Sequence, residues 1–560
     1  MKKYIFKNKL MIMLLIISIP LGCFFSIKFA LAFQPIIDAA ANGDLVMLKS
    51  AVIFCCIYAG LDCILLLSVK WIRESILKSA VIEIKNDLFS NIINLDMEKF
   101  NEVNTGEYIS ILDNDINLLR NSYFDSYLSV YKIIVSFIFS FVTVCVVNIR
   151  IAVSLIIVSL CSILIPKIFE KKLAILQNKY SISMKKYTSH TKDFFQGFQV
   201  IKSFSVENKI IHNHSGYNKS REEEGFKSTM AIFSVGWISM LFSTVMYVVT
   251  YIMGAYFVVK GTMTVGAIVS VSQLIGGVVA PLEQLPAVLA QIHSTKSIIE
   301  KAKHILNSNK EGKKRIIPKG ILKAIIMDDV SFSYKETDNK AVNKMNLEFS
   351  AGNKYAIVGE SGSGKSTIAK MILGFYKADS GTIFYDNNKI EELPVQYLYS
   401  NVGYVQQNTF IFDDTLRNNI ALYKEYTDEE IMDSIKKAGL EDFLKKLPNG
   451  INSNLGENGN LCSGGERQRI GIARALICKT RFMIFDEATA NLDKITADEI
   501  LSTVLNLPDT SSIFITHQLS NEMLSKCNKV YVTKNGSIVE EDNFNELLAN
   551  KSYFYDLYNA

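Results

Sequence analysis

The run Gly359-Glu360-Ser361-Gly362-Ser363-Gly364-Lys365-Ser366-Thr367 decides the fold of the second half of the chain. It follows one apolar run, Asn353 to Val358, and precedes another, Ile368 to Leu373. Strand, glycine-rich loop and helix, in that order, is the context in which GxxxxGK[ST] cradles phosphate. Glycines let backbone N–H groups converge on phosphate oxygens, and the helix N-terminus adds the positive end of its dipole. Lys365 is placed to reach the β- and γ-phosphates of a nucleotide, and the Ser366 hydroxyl to ligate Mg2+. The reading is an α/β phosphate-loop domain.

Further along, Phe482-Met483-Ile484-Phe485-Asp486-Glu487 reads as an apolar strand ending in two carboxylates. Asp486 suits the Mg2+ shell, and Glu487 is placed to orient or deprotonate an attacking water.

Between and around these runs stand Val405-Gln406-Gln407, Cys462-Ser463-Gly464-Gly465-Glu466-Arg467-Gln468-Arg469, Ala490-Asn491-Leu492-Asp493 and Ile515-Thr516-His517. In this order the second half resembles the ATP-binding cassette domain along essentially its whole length. The resemblance implies ATP and Mg2+ as cofactors. It makes Gln407 a glutamine at the Mg2+ site, Asp493 part of the loop after the carboxylates, and His517 the residue that senses the γ-phosphate. Tyr334, 25 residues before Gly359, stands where the family places an aromatic against adenine. Each role has its own physics: a tyrosine ring offers a π-face, and a histidine can hydrogen-bond a phosphate.

Ser463, Gly464, Gly465 and Glu466 resemble the family signature, which closes over the phosphate loop of a second domain. The resemblance therefore implies a dimer with two ATP molecules between its halves, formed with a second copy or a homologous half-transporter. Two residues depart from the pattern: Cys462 stands for Leu and Glu466 for Gln. The negative charge of Glu466 is expected to weaken closure or to pair with an arginine. Glu487 is intact, so the chain carries its own catalytic carboxylate.

The first half differs in kind. In a chain of 560 residues that is 49% hydrophobic, long apolar runs concentrate before residue 283. Six segments stand out, at about 10–33, 45–69, 128–147, 149–166, 232–259 and 264–282. Most approach the ~20 residues that cross a bilayer as a helix. Lysines crowd the stretches after the second and fourth segments, and Gln34 to Asp44 has none. The positive-inside rule then places both termini in the cytoplasm. The two cytoplasmic stretches read as helix extensions, each interrupted once: at Asn104-Thr105-Gly106-Glu107 with Asp113-Asn114-Asp115, and at Gly197 to Phe204.

Three charges fall inside the first two segments. Lys28 lies ~27 Å along from Leu10 and Asp62 ~25 Å from Leu45, at opposite depths, so they are not expected to pair. Lys28 and Lys49 reach outward to the interface, and Asp62 is a candidate for a water-filled cavity. Gly266, Ser270, Gln273 and Gly277 share one helix face, which reads first as close helix packing, with a cavity-lining face as the alternative. Tyr247, Tyr251 and Tyr256 read as core or lipid-facing, with a role in an apolar cargo cavity as the alternative. The nine cysteines show no metal spacing and read as reduced, small hydrophobes. The net charge of +5 offers no bulk attraction for nucleic acid.

The expected architecture is multidomain: an all-α six-helix transmembrane domain over residues 1–305, a linker at 306–322, and an α/β ATP-binding cassette domain over 323–560. Six helices before a fused cassette resemble exporter-type half-transporters. Asn104 to Glu107 and Ile201 to Phe204 resemble the flanks of that family's coupling helices, and Asn454 to Gly459 the exporter-specific loop that touches them. The resemblance implies a multi-pass membrane protein in contact with lipid, and the abundance of Lys, Asn and Ile suggests a bacterial source, hence an inner or plasma membrane. It would export a hydrophobic or amphipathic small molecule, lipid or peptide by alternating access. The rivals are an importer of a metal chelate on the same fold and a nucleotide-gated channel or regulatory subunit. The cargo is not written in the sequence.

Overall fold

The computed structural model describes the chain except residues 308–316, 319, 335–338, 490–491, 493, 509, 518 and 560, and the side chains of 159–167, 170, 239 and 242–243. The chain divides into two units. One holds Met1–Asn94 with Asn104–Asn309, the other Leu95–Val103 with Lys310–Ala560. Composition placed a single boundary near 306–322. The structure adds Leu95–Val103 to the second unit, with a short helix at Met97–Asn101.

The first unit is helical. Its long helices are α1 (Lys9–Leu31), α2 (Leu45–Ile93), α3 (Asp125–Val147), α4 (Ile149–Gln196), α5 (Glu207–Val259) and α6 (Val265–Ser294). Each of the six apolar segments lies mainly within one of them. Side chains start four of the six: Asn8, Asp44, Asn148 and Thr264 accept backbone N–H groups of the first turns of α1, α2, α4 and α6. Such caps satisfy donors that helix geometry leaves unpaired. Four helical runs, Lys9–Asn42, Leu45–Ile93, Thr105–Val147 and Val265–Asn307, are long and apolar enough to cross a membrane. The described parts of the other two segments, Ile149–Val158 and Thr244–Val259, are shorter apolar helices.

The two expected interruptions differ. Asn104 does cap a new helix, accepting from Gly106 N at 2.9 Å, but Asp113 to Asp115 do not break the chain. They sit in a wide π-helical turn, Ile111–Asp115, that continues it. At Gly197 the helix does break, and a short helix, Phe198–Ser203, follows.

The close-packing reading of the sixth segment holds at its glycines. A Cβ on Gly266 would lie 2.2 Å from Gln34 O, and one on Gly277 2.1 Å from Ser140 Oγ. Lys28 does not meet Asp62: its ammonium lies 5.5 Å from the Phe24 ring, and Asp62 accepts the hydroxyl of Ser26.

The second unit holds two sheets. A four-stranded antiparallel sheet runs in the order β2-β1-β4-β5, with β1 Ala324–Ser333, β2 Lys340–Ser350, β4 Ser380–Tyr385 and β5 Asn388–Lys389. A six-stranded sheet runs β10-β9-β3-β8-β7-β6, with β3 Lys354–Gly359, β6 Val402–Val405, β7 Phe482–Asp486, β8 Ser511–Thr516, β9 Lys529–Lys534 and β10 Ser537–Asp542. From β9 to β6 all neighbours are parallel. β3 and β7 are buried throughout, which is why they read as unbroken apolar runs rather than as alternation.

Candidate functional site

Parallel strands deliver functional residues at their C-terminal ends. Here β8 lies between β3 and β7. The phosphate loop leaves β3, the two carboxylates close β7, and His517 follows β8 between them. Strand order alone thus gathers three motifs that are far apart in the chain.

The loop is shaped by its glycines. Gly359, Gly362 and Gly364 have φ of 154°, 81° and 96°. A Cβ on Gly359 would lie 2.3 Å from Thr533 O, and one on Gly364 2.2 Å from Ala341 O. Glu360, Ser361 and Gly362 form the exposed lip, while Ser363 is buried and its hydroxyl lies 2.8 Å from that of Thr533. The loop leads into α7 (Lys365–Ile372). Lys365 is 5% exposed, and its ammonium donates to the carbonyls of Gly359 and Glu360 at 2.8 Å each. Burial lowers its pKa. A phosphate would return to it the counter-charge that burial removes.

Ser366 Oγ donates to Asp486 Oδ1 at 2.9 Å, and the Tyr404 hydroxyl donates to Oδ2 at 2.9 Å. Burial raises the Asp486 carboxyl above its ordinary value. Ser366 and Asp486 together offer hard oxygen donors at the foot of the loop. That donor set fits Mg2+, which takes few protein ligands and completes its octahedron with phosphate and water. A cation there would offset the burial of the carboxylate.

Glu487 stands at φ 50°, outside the strand geometry, and its carboxylate is held on both oxygens. Gln407 Nε2 donates to Oε2 at 2.7 Å, and His517 Nδ1 lies 3.0 Å from Oε1. Gln407 is thus bonded to Glu487 rather than to Asp486. The Tyr334 hydroxyl lies 3.0 Å from Thr367 Oγ1, and its ring stands edge-on to Phe332 and Tyr376.

Ser463 to Glu466 make none of these contacts. They start α8 (Gly464–Ile477) as a capping box: Glu466 N donates to Ser463 Oγ at 3.2 Å, and Ser463 N to Glu466 Oε2 at 2.7 Å. Glu466 therefore pairs with a backbone N–H of its own helix, not with an arginine, and glutamate serves this position as well as glutamine. Cys462 is buried in the core, and burial pushes its thiol up to about 11. Asp493 lies outside the described residues.

Two family models match the chain: the ABC transporter transmembrane region over residues 11–282 and the ABC transporter over 342–490. The chain belongs to the ABC transporter family.

Within that family it is of the exporter half-transporter type, one membrane region fused to one cassette. The iron-sulfur clusters transporter ATM1, mitochondrial, of Kluyveromyces lactis is 34% identical over 381 residues, which are 66% of this chain and 52% of that protein. The chain thus spans about half the length of that relative. The ATP-dependent lipid A-core flippase of Pectobacterium atrosepticum is 28% identical over 497 residues, 88% of this chain and 84% of that one. A solved bacterial Atm1-family ABC exporter with ATP bound has the same fold, with a TM-score of 0.84 and 98% of each chain covered at 21% identity.

Three site residues of this ABC transporter escaped the sequence reading. Tyr404 reaches Asp486, and Gln468 Nε2 donates to the Glu487 carbonyl at 3.3 Å. Arg474 of α8 donates to Phe410 O at 2.6 Å, bracing the loop that carries Gln407. Tyr404 could have been found as the polar residue of an otherwise apolar strand beside the Gln407 loop.

Proposed function

We propose that the chain hydrolyses ATP to drive alternating access in a bacterial inner or plasma membrane, with both termini cytoplasmic, exporting a hydrophobic or amphipathic cargo. The observation that carries this is the bracing of Glu487 between Gln407 and His517 at the mouth of the phosphate loop. Such a carboxylate is set to take a proton from water as its oxygen attacks the γ-phosphorus. Lys365 and the loop N–H groups hold the β- and γ-phosphates, and Tyr334 stands by for the adenine. Ser366 and Asp486, with Gln407 approaching when nucleotide binds, would hold Mg2+, which neutralises charge on the transferring phosphoryl group.

The site is completed by a second cassette. A Cβ on Gly464 would meet nothing within 4 Å in its own chain, so this glycine is not demanded by local packing. An exposed capping serine beside it suits a phosphate approaching from a partner. We take the dimer to be one of identical chains. ATP would bind the closed state more tightly than the open one, and hydrolysis would release it.

A second reading, transport of a metal-containing cargo, is favoured by the likeness to the ATM1 transporter. The test is ATP hydrolysis by the purified chain in lipid, with lipids, peptides and metal chelates as stimulants. Glu487→Gln is expected to lose at least about 100-fold in rate while retaining ATP. A wild-type chain that binds ATP and barely turns it over overturns the reading of identical chains. Stimulation by metal chelates alone selects the second reading.

A further inference from the structure

Helices α1, α2, α3 and α6 enclose a cavity of about 250 Å³ within the membrane unit, and Ser26, Lys132, Ser136, Ser140 and Gln273 line it. Lys132, Ser136 and Ser140 recur at every fourth residue, so they form one polar ladder along α3. Lys132 lies seven residues beyond Asp125, which is held by Arg73 at 2.7 Å. It therefore stands ~10 Å further along the helix than that ion pair. Among the described residues it has neither an ion pair nor a hydrogen bond. Asp62 accepts the hydroxyl of Ser26, one of the cavity-lining residues. Ser140 is 6% exposed, and its hydroxyl likewise has no partner among the described residues. Ile27, Leu66 and Val69 supply an apolar part of the lining. The three tyrosines of α5 do not line it and are exposed.

An unpaired cation in a membrane segment marks a substrate path by default. Here it shares a cavity with an amide and with hydroxyls that have no partner among the described residues, all of them able to donate. We infer that this cavity binds the anionic headgroup of an amphiphile. Lys132 pairs with its phosphate or carboxylate, Ser136 and Ser140 hydrogen-bond the headgroup at successive turns of α3, and the hydrocarbon lies against Ile27, Leu66 and Val69. This rests on the transport reading and names the chemistry of the cargo.

The test is equilibrium binding to the full chain in phosphatidylcholine nanodiscs without nucleotide. The probes are a fluorescent single-chain phosphatidic acid and its phosphatidylcholine counterpart. Wild type is expected to prefer the anionic probe by about tenfold, the effect of one charge-assisted hydrogen bond. Lys132→Gln loses the preference and Lys132→Arg keeps it, with thermal melting to verify that each is folded. Ser136→Ala with Ser140→Ala, which leaves the charge in place, reduces affinity for the anionic probe alone. Equal binding of both probes by wild type, or a preference that survives Lys132→Gln, overturns the site. Displacement of the probe by inorganic phosphate assigns a free anion and overturns the amphiphile. Because no ATP is present, failure here leaves the hydrolysis reading standing, and a chain that binds the probe but never hydrolyses ATP sinks that reading alone.

Discussion

The hydroxyl of Tyr553 donates to Glu360 Oε1 at 2.8 Å, tying the helix Tyr553–Asn559 to the lip of the phosphate loop. Lys534 stacks over the same ring at 4.1 Å. Burial, and then the bond to Glu360, push the phenol up to about 12, so it remains a donor at neutral pH. Tyr553→Phe removes one hydrogen bond from a loop that must be ordered to receive phosphate. A net bond of this kind is worth about 0.5–1.5 kcal/mol, so ATP affinity should fall by roughly two- to tenfold. Binding of a fluorescent ATP analogue checks it, and unchanged affinity would show that the contact does not order the loop.

Glu466 and Ser463 form a reciprocal cap, so the two substitutions at 466 should separate charge from capping. Glu466→Gln keeps both bonds and should leave the melting temperature in place. Glu466→Ala loses one bond of the box, about 0.5–1 kcal/mol, which lowers the cassette's Tm by about 2 °C. If the glutamine variant melts as low as the alanine variant, the carboxylate is doing something other than capping.

Two glycines should respond in opposite ways. Gly364 has φ 96° and a backbone carbonyl 2.2 Å from where a Cβ would be. Gly364→Ala is expected to cost about 2 kcal/mol or more and to abolish nucleotide binding. Gly464→Ala meets only open space in its own chain, so stability should hold or rise slightly, since alanine suits a helix better. Hydrolysis should nevertheless collapse if a partner's phosphate approaches there. Full activity in Gly464→Ala would remove that glycine from the contact between chains.

Lys365 predicts a proton balance. Its folded pKa lies below the ordinary 10.5, so the unfolded chain binds more protons between the two values. Stability from this group therefore rises with pH across that window and is lost as pH falls through the lowered value. Nucleotide reverses the shift, because phosphate favours the charged ammonium. ATP binding in alkaline solution should take up protons, which calorimetry in two buffers of different ionisation enthalpy measures. Proton release on binding would contradict it.

The cassette was legible because its chemistry is written in short runs, each complete in itself. Gly359 to Thr367 needs no distant partner to be recognised, and the burial of β3 and β7 shows as unbroken apolar runs. Tyr404 was not legible: it becomes a site residue only when β6 pairs with β7, which sets Val405 opposite Phe485 and carries the tyrosine hydroxyl to Asp486. Glu466 looked like an unwelcome charge because its capping role depends on the local helix start. In the membrane unit, Lys132 was passed over as one polar residue in an apolar run. Its meaning lies in the four-residue recurrence with Ser136 and Ser140. The placement of Leu95–Val103 with the cassette could not be read from composition, since a nine-residue excursion leaves no linker. There Asn101 hydrogen-bonds Tyr376, and Asp96 bears on Tyr399.

Helix α8 starts at Ser463, which the proposed dimer would offer to a partner's nucleotide, and five residues later Gln468 holds the carbonyl of the chain's own Glu487. At 1.5 Å per residue that is ~8 Å of rigid rod. In a pair of such chains, each rod touches both reaction centres. The two ATPs are then not independent events: turnover at one tugs on the receptor for the other. Such a dimer has a built-in means of cooperativity, and its rate should climb with ATP more steeply than a single-site enzyme allows.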